Sequence, residues 1–219
     1  MPGAAAGRGA APDAAPAAAA AAVSLLETVT YFLDGAAGVL RAIRHREHDH
    51  LGTCRYAMFD RYGGVSGEPF STLNGSYGVG DDSAAVAANR ARIKEALNLR
   101  HLVSARQVHG DAIHCLDSHP TADLEVHGVD ALVTDRPGVG IMVQHADCQA
   151  VLLFDPHRRV IGAVHSGWRG SVLDILGKTV RLIVSRYRSR AQDLLAVISP
   201  SLGPCCSEFV NHRRELPPH

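Results

Sequence analysis

"AVLLFDPHRRVIGAVHSGWRG", residues 150–170, contains two apolar runs, a short polar turn and a glycine-rich end. The runs AVLLFD and VIGAVH, separated by PHRR, predict an antiparallel β-hairpin. With the turn centred near residues 157–158, Cys148 faces Gly167 across the hairpin. His165 is then a diagonal neighbour of Cys148 on the same face, at roughly 7–8 Å between backbones. A slip of one residue would separate the two side chains, so the prediction depends on the register.

A third metal-binding side chain comes from upstream, in the sequence QVHG (107–110). His109 ends a predicted strand, and its side chain can enter the same cleft if that strand is a neighbour. One cysteine and two histidines bind Zn²⁺ and leave a fourth position for water or substrate. We therefore predict a catalytic zinc site at His109, Cys148 and His165, here called the His-Cys-His group. Asp147 could orient a ligand. The alternative is that no metal binds, and that Cys148 is a buried thiol and the two histidines are ordinary hydrogen-bonded residues.

The sequence SGWRGS (166–171) makes a separate prediction. Its glycines allow close approach of the backbone to a ligand, and a helix start there directs free N–H groups outward. The guanidinium of Arg169 suits phosphate or carboxylate. These features favour an anion-binding turn, although a tight strand–helix turn with a packed tryptophan explains the same residues.

Composition excludes several classes of protein. The chain has 219 residues, 46% of them hydrophobic and 20% charged, with 22 basic and 22 acidic residues. This balance gives no basic surface for nucleic acid, and no apolar run reaches the length of a membrane span. Five cysteines are an odd and sparse set, which indicates reduced thiols in a cytoplasmic protein. The oligomeric state is not encoded in any pattern that we recognise.

The pattern along the chain divides it into residues 1–50 and 51–219. Residues 1–22 are rich in alanine, proline and glycine, so we expect disorder there. Residues 23–44 are apolar at helical spacing and predict a helical hairpin or the first element of the domain. HREHDH (45–50) favours a solvated linker over a metal tract. The second division is predicted to be one domain.

Further elements follow from periodicity. Asp82 or Ser83 is the expected N-cap of a helix with apolar residues at 86, 93 and 97. The other predictions are strands at 101–109, 111–117 and 194–204, one amphipathic helix at 171–187, and a packed turn at the adjacent Cys205 and Cys206.

Several motifs resemble one family. They are ARQVHGD, DALVTDRPGVGIMVQHADCQAVLLFDP, VIGAVHSGWRGSV and ISPSLGPCCSEF, with RYGGVSGEPFSTLN and GDDSAAVAANR upstream. As an ordered set they resemble the YfiH-type proteins, also called laccase-domain or polyphenol oxidase proteins and peptidoglycan editing factors. The resemblance covers about residues 51–216. It implies an α+β fold in which mixed β-sheets are sandwiched between helical layers.

The same resemblance implies a function. The zinc ligands of the family correspond to the three residues of the His-Cys-His group. The family is described as cleaving adenosine, inosine, guanosine and S-methyl-5′-thioadenosine with phosphate and as deaminating adenosine. Arg61 and Asn74 match polar positions of its glycine-rich segment, so with Arg169 they are expected to bind ribose or phosphate. The purine nucleosides and phosphate are the expected partners. The resemblance also implies a further helix, a CT segment and a closing strand after His219, so we expect an incomplete pocket wall here.

Two alternatives remain, and a third is rejected. Cys148 could be the nucleophile of a cysteine hydrolase or amidase that edits a peptidoglycan precursor. The chain could also be an inactive, truncated zinc-binding remnant. Copper oxidation is rejected, because a trinuclear copper cluster needs several His-X-His pairs and only HDH (48–50) has that spacing.

Overall fold

The computed structural model describes residues 54–208, 210 and 214, together with the backbone of two strands at 26–32 and 39–45. In chain order its elements are β1 (Leu26–Phe32), β2 (Val39–His45), β3 (Met58–Phe59), α1 (Ser83–Leu97), β4 (His101–Arg106), β5 (Ile113–Leu116), β6 (Leu124–His127), β7 (Ala131–Thr134), β8 (Val139–Met142), β9 (Gln149–Asp155), β10 (Val160–Ser166), α2 (Trp168–Val172), α3 (Ile175–Tyr187), a 3-10 helix (Ala191–Asp193) and β11 (Leu195–Ile198). Within these residues, no helix is long and apolar enough to cross a membrane.

The hairpin of β9 and β10 forms the centre of the largest sheet. The two strands pair antiparallel, from Val160 opposite Asp155 to Ser166 opposite Gln149. One pair further on, Gly167 lies opposite Cys148, as the sequence predicts. β7 and β11 flank the hairpin, and the sheet has the order β11-β9-β10-β7-β5. The predicted hairpin and its register are therefore confirmed.

A second sheet has the order β6-β4-β8, with both neighbours parallel to β4. The strands predicted at 101–109 and 111–117 exist, but they are shorter and lie in different sheets. β4 ends at Arg106, and β5 begins at Ile113 and pairs parallel with β7. His109 therefore lies in the loop between two sheets and not at the end of a strand.

The N-terminal strands correct the predicted helical hairpin at 23–44. β1 and β2 pair antiparallel, and β2 continues the sheet to β3 through Ala42 opposite Phe59. The sequence of β1, LETVTYF, is rich in β-branched and aromatic residues, which favour strands. The division of the chain at residue 50 stays a prediction. The disorder expected at 1–22 and the linker expected after His45 lie outside the described residues.

The helix α1 is confirmed, and it buries more than its apolar stripe. The Asp82 side chain accepts a hydrogen bond from the Ala84 amide at 3.2 Å and caps the helix. Val86 and Ile93 are buried as predicted, but Asn89 and Arg90 are buried too. The Arg90 guanidinium reaches β6 and donates to Glu125 at 2.7 Å. This buried ion pair joins the helix to the second sheet.

The single helix predicted at 171–187 is wrong. Asp174 adopts a left-handed conformation, φ +57°, and separates α2 from α3. The break leaves two apolar residues of the predicted helix, Val172 and Leu173, exposed. It also directs α3 onto β7 and β10. Asp tolerates this backbone conformation better than most residues, so apolar periodicity alone could not locate the break.

The main core lies between α3 and the five-stranded sheet. Its buried residues are Ala131, Val133, Val151, Leu153, Val160, Val164, Ile175 and Ile183. A smaller core between β4, β7 and β8 joins the two sheets through Val103, Ala105, Leu116, Leu132 and Val139. The ends of β4, β9 and β10 are thereby fixed relative to one another, and the candidate site lies at these ends.

Candidate metal centre

The three side chains of the His-Cys-His group meet in one place. One nitrogen of each histidine and the Cys148 sulfur all lie within 4.8 Å of one another. The two imidazole rings are edge to face, with centroids 4.9 Å apart. His165 is buried, Cys148 is half-buried and His109 is exposed. The group is thus open to solvent on the His109 side.

One buried carboxylate orients two members of the group. Asp130 is fully buried at the start of β7, and its Oδ1 lies 2.8 Å from His165 Nδ1. The same carboxylate accepts the backbone amides of Val108, His109 and Gly110, at 3.1, 2.9 and 2.9 Å. His109 is held with a left-handed backbone, φ +59°. Asp130 therefore fixes both the His109 loop and the ring of His165, whose Nε2 remains as the ligand atom.

The ionisation of Asp130 follows from these contacts. Burial acts to raise its pKa, but the hydrogen bonds from His165 and from the backbone amides outweigh burial and hold the pKa below its usual value. The carboxylate is charged at neutral pH. Its contact with Nδ1 of His165 leaves Nε2 as the ring nitrogen that can face a metal.

Asp147, which the sequence suggested as the orienting carboxylate, does not take that position. Its side chain is exposed, and its main-chain oxygen accepts the Leu202 amide at 3.1 Å. A signal for Asp130 was present in the sequence GVDALVT, because an acidic residue directly before a buried strand needs hydrogen-bond donors. Sequence reasoning missed it.

The segment that carries Cys148 is fastened to the end of β11. Ser199 bonds Ala150 twice: its amide donates to the Ala150 oxygen at 2.9 Å, and its hydroxyl accepts the Ala150 amide at 2.8 Å. The Leu202–Asp147 bond lies on the other side of Cys148. Cys148 is thus held between two hydrogen-bonded points.

The glycines after β10 are required by close packing. A Cβ on Gly167 would lie 2.9 Å from the Cys148 sulfur and 3.2 Å from a carbon of His109. A Cβ on Gly170 would lie 3.3 Å from the Gly110 oxygen. These glycines give space to the His-Cys-His group and to its loop, whereas the sequence suggested that they give space to a ligand.

Arg169 lies in helix α2, four residues after His165 in the chain. Its side chain is exposed, and the guanidinium carbon lies 5.2 Å from the centre of the Trp168 ring. Helix α2, at whose start it lies, has only five residues. An anion-binding role for this turn stays a prediction.

A cavity of about 920 Å³ lies next to the segment that carries Cys148, although none of the three residues of the His-Cys-His group lines it. Its wall includes His145, Ala146 and Ala150, which flank Cys148 in the chain. Arg61 and Asn74 also line it, so the structure brings these two predicted residues to one cavity.

Both of these side chains already have protein partners. The Arg61 guanidinium donates to the Ser71 oxygen at 2.8 and 3.0 Å. The Asn74 amide donates to Ser76 and Asp81 and accepts the Ser76 amide. Asn74 thus closes its own loop, and Arg61 places a positive charge on the cavity wall.

Gln107, Gln144 and His145 were not selected from the sequence, and the last two line the edge of the cavity next to Cys148. The Gln107 side chain donates to the main-chain oxygen of Gln144 at 2.7 Å and accepts its amide at 2.8 Å. Two bonds therefore tie the segment before His109 to the segment before Cys148. His145 follows, and burial together with the nearby His165 lowers the pKa of its imidazole. His145 is therefore neutral at physiological pH.

The Cys148 thiol is not activated by its surroundings. Burial, with the charges of Asp147 and Asp130, raises its pKa above the ordinary value. Cys205 and Cys206 lie far along the chain in an exposed turn, with their sulfurs 3.2 Å apart. The predicted turn is present there, but it is not packed.

The donor set of the His-Cys-His group fits a zinc ion. Two imidazoles and one thiolate match the ligands of catalytic zinc sites, and the ligand atoms are spaced for one shared ion. The Asp130–His165 contact is the outer hydrogen bond that metal-binding histidines usually make. Among the described residues, no second group of this kind occurs.

Comparison with known sequences then decides the family. The sequence pattern of a family described as "Multi-copper polyphenol oxidoreductase laccase" matches residues 55–216. The chain belongs to this laccase-domain family. The match spans all three residues of the His-Cys-His group, and the resemblance to the YfiH-type proteins is confirmed.

Relatives of this laccase-domain chain are named purine nucleoside phosphorylases. Purine nucleoside phosphorylase ORF3 of Streptomyces griseus is 42% identical over 174 residues, which are 78% of this chain and 70% of that protein. Purine nucleoside phosphorylase YlmD of Geobacillus stearothermophilus is 36% identical over 154 residues, 67% of this chain and 56% of that protein. The chain thus aligns with only part of either relative.

Solved structures agree on the fold. The crystal structure of the hypothetical protein YfiH from Bacillus licheniformis has a TM-score of 0.69 and 30% identity, over 81% of this chain and 67% of that one. The crystal structure of YlmD from Geobacillus stearothermophilus has a TM-score of 0.68 and 31% identity, over 82% of this chain and 68% of that one. The mixed α/β architecture of the laccase-domain family is therefore present here.

Proposed function

We propose that this chain is a zinc-dependent purine nucleoside phosphorylase. The observation that carries the proposal is the His-Cys-His group, whose ligand atoms lie within 4.8 Å of one another beside a cavity of about 920 Å³. Ligand pockets for small molecules typically have volumes of about 300–1,000 Å³, so the cavity is large enough for a nucleoside. The names of the relatives point to the same activity.

The proposed role of each residue follows from its position. His109, Cys148 and His165 would hold the ion, and Asp130 keeps two of them in place. Zinc in an open site would supply Lewis acidity toward water or substrate. The apolar cavity wall would cover the nucleoside and exclude water, while Arg61 and the loop closed by Asn74 contact ribose or phosphate.

We further propose that Arg169 binds phosphate at the turn after β10. Its guanidinium is exposed and lies against the Trp168 ring. A free face of the guanidinium therefore remains for an anion. Phosphate held there would attack C1′ of the ribose, and the purine base would leave as the glycosidic bond breaks. Deamination of adenosine would instead need water to attack C6 of the base, with ammonia as the leaving group. The substrates proposed are adenosine, inosine, guanosine and S-methyl-5′-thioadenosine.

Zinc is favoured over copper by the donor set. Blue-copper centres also use two histidines and a cysteine, but oxidation of phenols needs a further cluster of histidines to reduce oxygen. The described residues contain one metal-binding group only. Metal analysis of purified protein distinguishes the two, since copper at one equivalent with phenol oxidation would contradict the proposal.

The test is direct. Protein is loaded with zinc and incubated with adenosine and phosphate, and adenine, ribose 1-phosphate and inosine are measured. Cys148→Ser should lose zinc and all three products, whereas Cys205→Ser, a matched change at an exposed thiol, should keep them. Absence of all products from folded, zinc-loaded protein refutes the activity.

A cysteine hydrolase is the second candidate, because Asp130, His165 and Cys148 also lie in the order of a nucleophilic triad. The raised pKa of Cys148 counts against it, since reactive cysteines have lowered values. Alkylation by iodoacetamide separates the two functions. A metal-bound Cys148 reacts only after a chelator is added, whereas a nucleophile reacts without one.

A further inference from the structure

The edge of the cavity beside Cys148 has polar atoms without partners. Gln144 Nε2 and His145 Nδ1 are both buried, and neither has a hydrogen-bond partner among the described residues. A buried donor or acceptor left unpaired costs about 1–3 kcal/mol. The two residues are consecutive and both line one cavity, so a rotation of either side chain that brings its unpaired atom to the cavity surface would let an incoming molecule complete the hydrogen bonding.

This edge is also rigid. Both hydrogen-bonding groups of the Gln144 main chain are occupied by the Gln107 side chain. The Gln144 side chain therefore cannot turn back to pair with its own backbone. Because their backbone is held in place, the side chains of Gln144 and His145 can select the orientation of a ligand.

The rest of the cavity wall is mainly apolar. It includes Phe59, Leu73, Met142, Leu152 and Phe154. Such a wall suits the faces of a flat, aromatic ring, and the polar edge suits the ring's hydrogen-bonding atoms. A purine base has this combination, with ring nitrogens and a 6-substituent along one edge.

The two side chains share one property. A carboxamide has a donor and an acceptor, and a neutral imidazole also has one of each. After a half-turn of the amide, Gln144 can donate to a 6-oxo group or accept from a 6-amino group. His145 can likewise accept or donate according to its tautomer.

We propose that Gln144 and His145 hold the purine base, and that their dual donor and acceptor character lets one cavity accept both 6-oxo and 6-amino purines. The proposal rests on the proposed function and names the residues that set its base specificity. Both residues act by binding the base, and neither is a metal ligand. Zinc content is therefore independent of them.

The experiment changes the hydrogen-bonding character of Gln144 and keeps its size. Gln144→Glu has acceptors only, so KM for inosine should rise about tenfold or more relative to KM for adenosine. Gln144→Met has neither group, so KM should rise for both substrates while their ratio stays near that of the wild type. Gln192→Glu and Gln192→Met, at an exposed position, are the matched controls.

His145 is tested in the same way. His145→Ala should raise KM for both nucleosides more than kcat falls, with zinc retained, whereas the control His157→Ala at an exposed turn should leave both constants unchanged. Thermal unfolding of each variant verifies that it is folded. If Gln144→Glu shifts inosine and adenosine equally, or if neither Gln144 variant changes KM, the assignment is overturned.

A binding assay separates this proposal from the proposed activity. Equilibrium dialysis of adenine, hypoxanthine and uracil with zinc-loaded protein needs no turnover. Binding of both purines but not uracil, with loss of hypoxanthine binding in Gln144→Glu, supports the base site even if no phosphorolysis occurs. Failure of folded wild-type protein to bind either purine overturns the base site, whatever the activity assay gives.

Discussion

Asp130→Asn is the change that should disturb the site most without touching a ligand atom. In the native protein, Oδ1 pairs with His165 and the His109 amide, and Oδ2 accepts the amides of Val108 and Gly110. The single side-chain oxygen of asparagine can accept the hydrogen bonds of only one of these two sets of donors. Its NH₂ group would then face two N–H donors on the other side.

The magnitude follows from this count of contacts. Hydrogen bonds to a charged group contribute about 1.5–3 kcal/mol each, and two of them are replaced by donor–donor contacts. The free energy of unfolding should fall by about 3–6 kcal/mol in the absence of metal. Zinc affinity should fall about 10–100-fold, as is typical when the outer partner of a ligating histidine is removed.

Urea unfolding of metal-free protein measures the first effect, and competition with a chelator measures the second. Asp147→Asn is the matched control, because it changes an exposed carboxylate next to Cys148. Stability of the control should stay within about 0.5 kcal/mol of the wild type. If Asp130→Asn unfolds at the wild-type urea concentration and binds zinc equally well, Asp130 does not organise the site and the reasoning is wrong.

Three further predictions address phosphate, the core and pH. Arg169→Ala should weaken phosphorolysis by about 1.5–3 kcal/mol with zinc retained and deamination less affected; equal loss of both products would mean that Arg169 does not bind phosphate. Ile183→Ala, in the buried face of α3, should lower the free energy of unfolding by about 2–5 kcal/mol in urea, and a loss under 1 kcal/mol would contradict the packing described. The pKa of Asp123 is lowered because its lysine and backbone hydrogen bonds outweigh partial burial. The contribution of Asp123 to the free energy of unfolding is therefore present above the unfolded pKa of about 3.9 and is lost as the pH falls further. Asp123→Asn should destabilise more at pH 7 than at pH 2.5, and an equal effect at both would be inconsistent with this pairing.

The sequence was most informative where one strong pattern decided the structure. The hairpin of β9 and β10 has two apolar runs and one polar turn, so its register was predictable, and Cys148 and His165 followed from it. The N-cap was predictable to within one residue, as Asp82 or Ser83, because capping is local chemistry.

The remaining errors concern long-range contacts. The break at Asp174 depends on how α3 packs against the sheet, which no local pattern records. Asp130 and Gln107 act through atoms about 20 to 40 residues away, so spacing could not reveal them. The exposed Asp147 looked more suitable only because it is adjacent to Cys148 in the chain.

The attachment of the Cys148 segment to β11 has a kinetic consequence. β11 is the edge strand of its sheet, with β9 as its neighbour among the described strands. Edge strands open by local fluctuation at lower free energy than central ones. Each opening would break the bonds of Ser199 and Leu202 that hold Cys148 from both sides. The residence time of a bound ion would then follow the fraying of this edge, and hydrogen exchange of the Ala150 and Leu202 amides would report it directly.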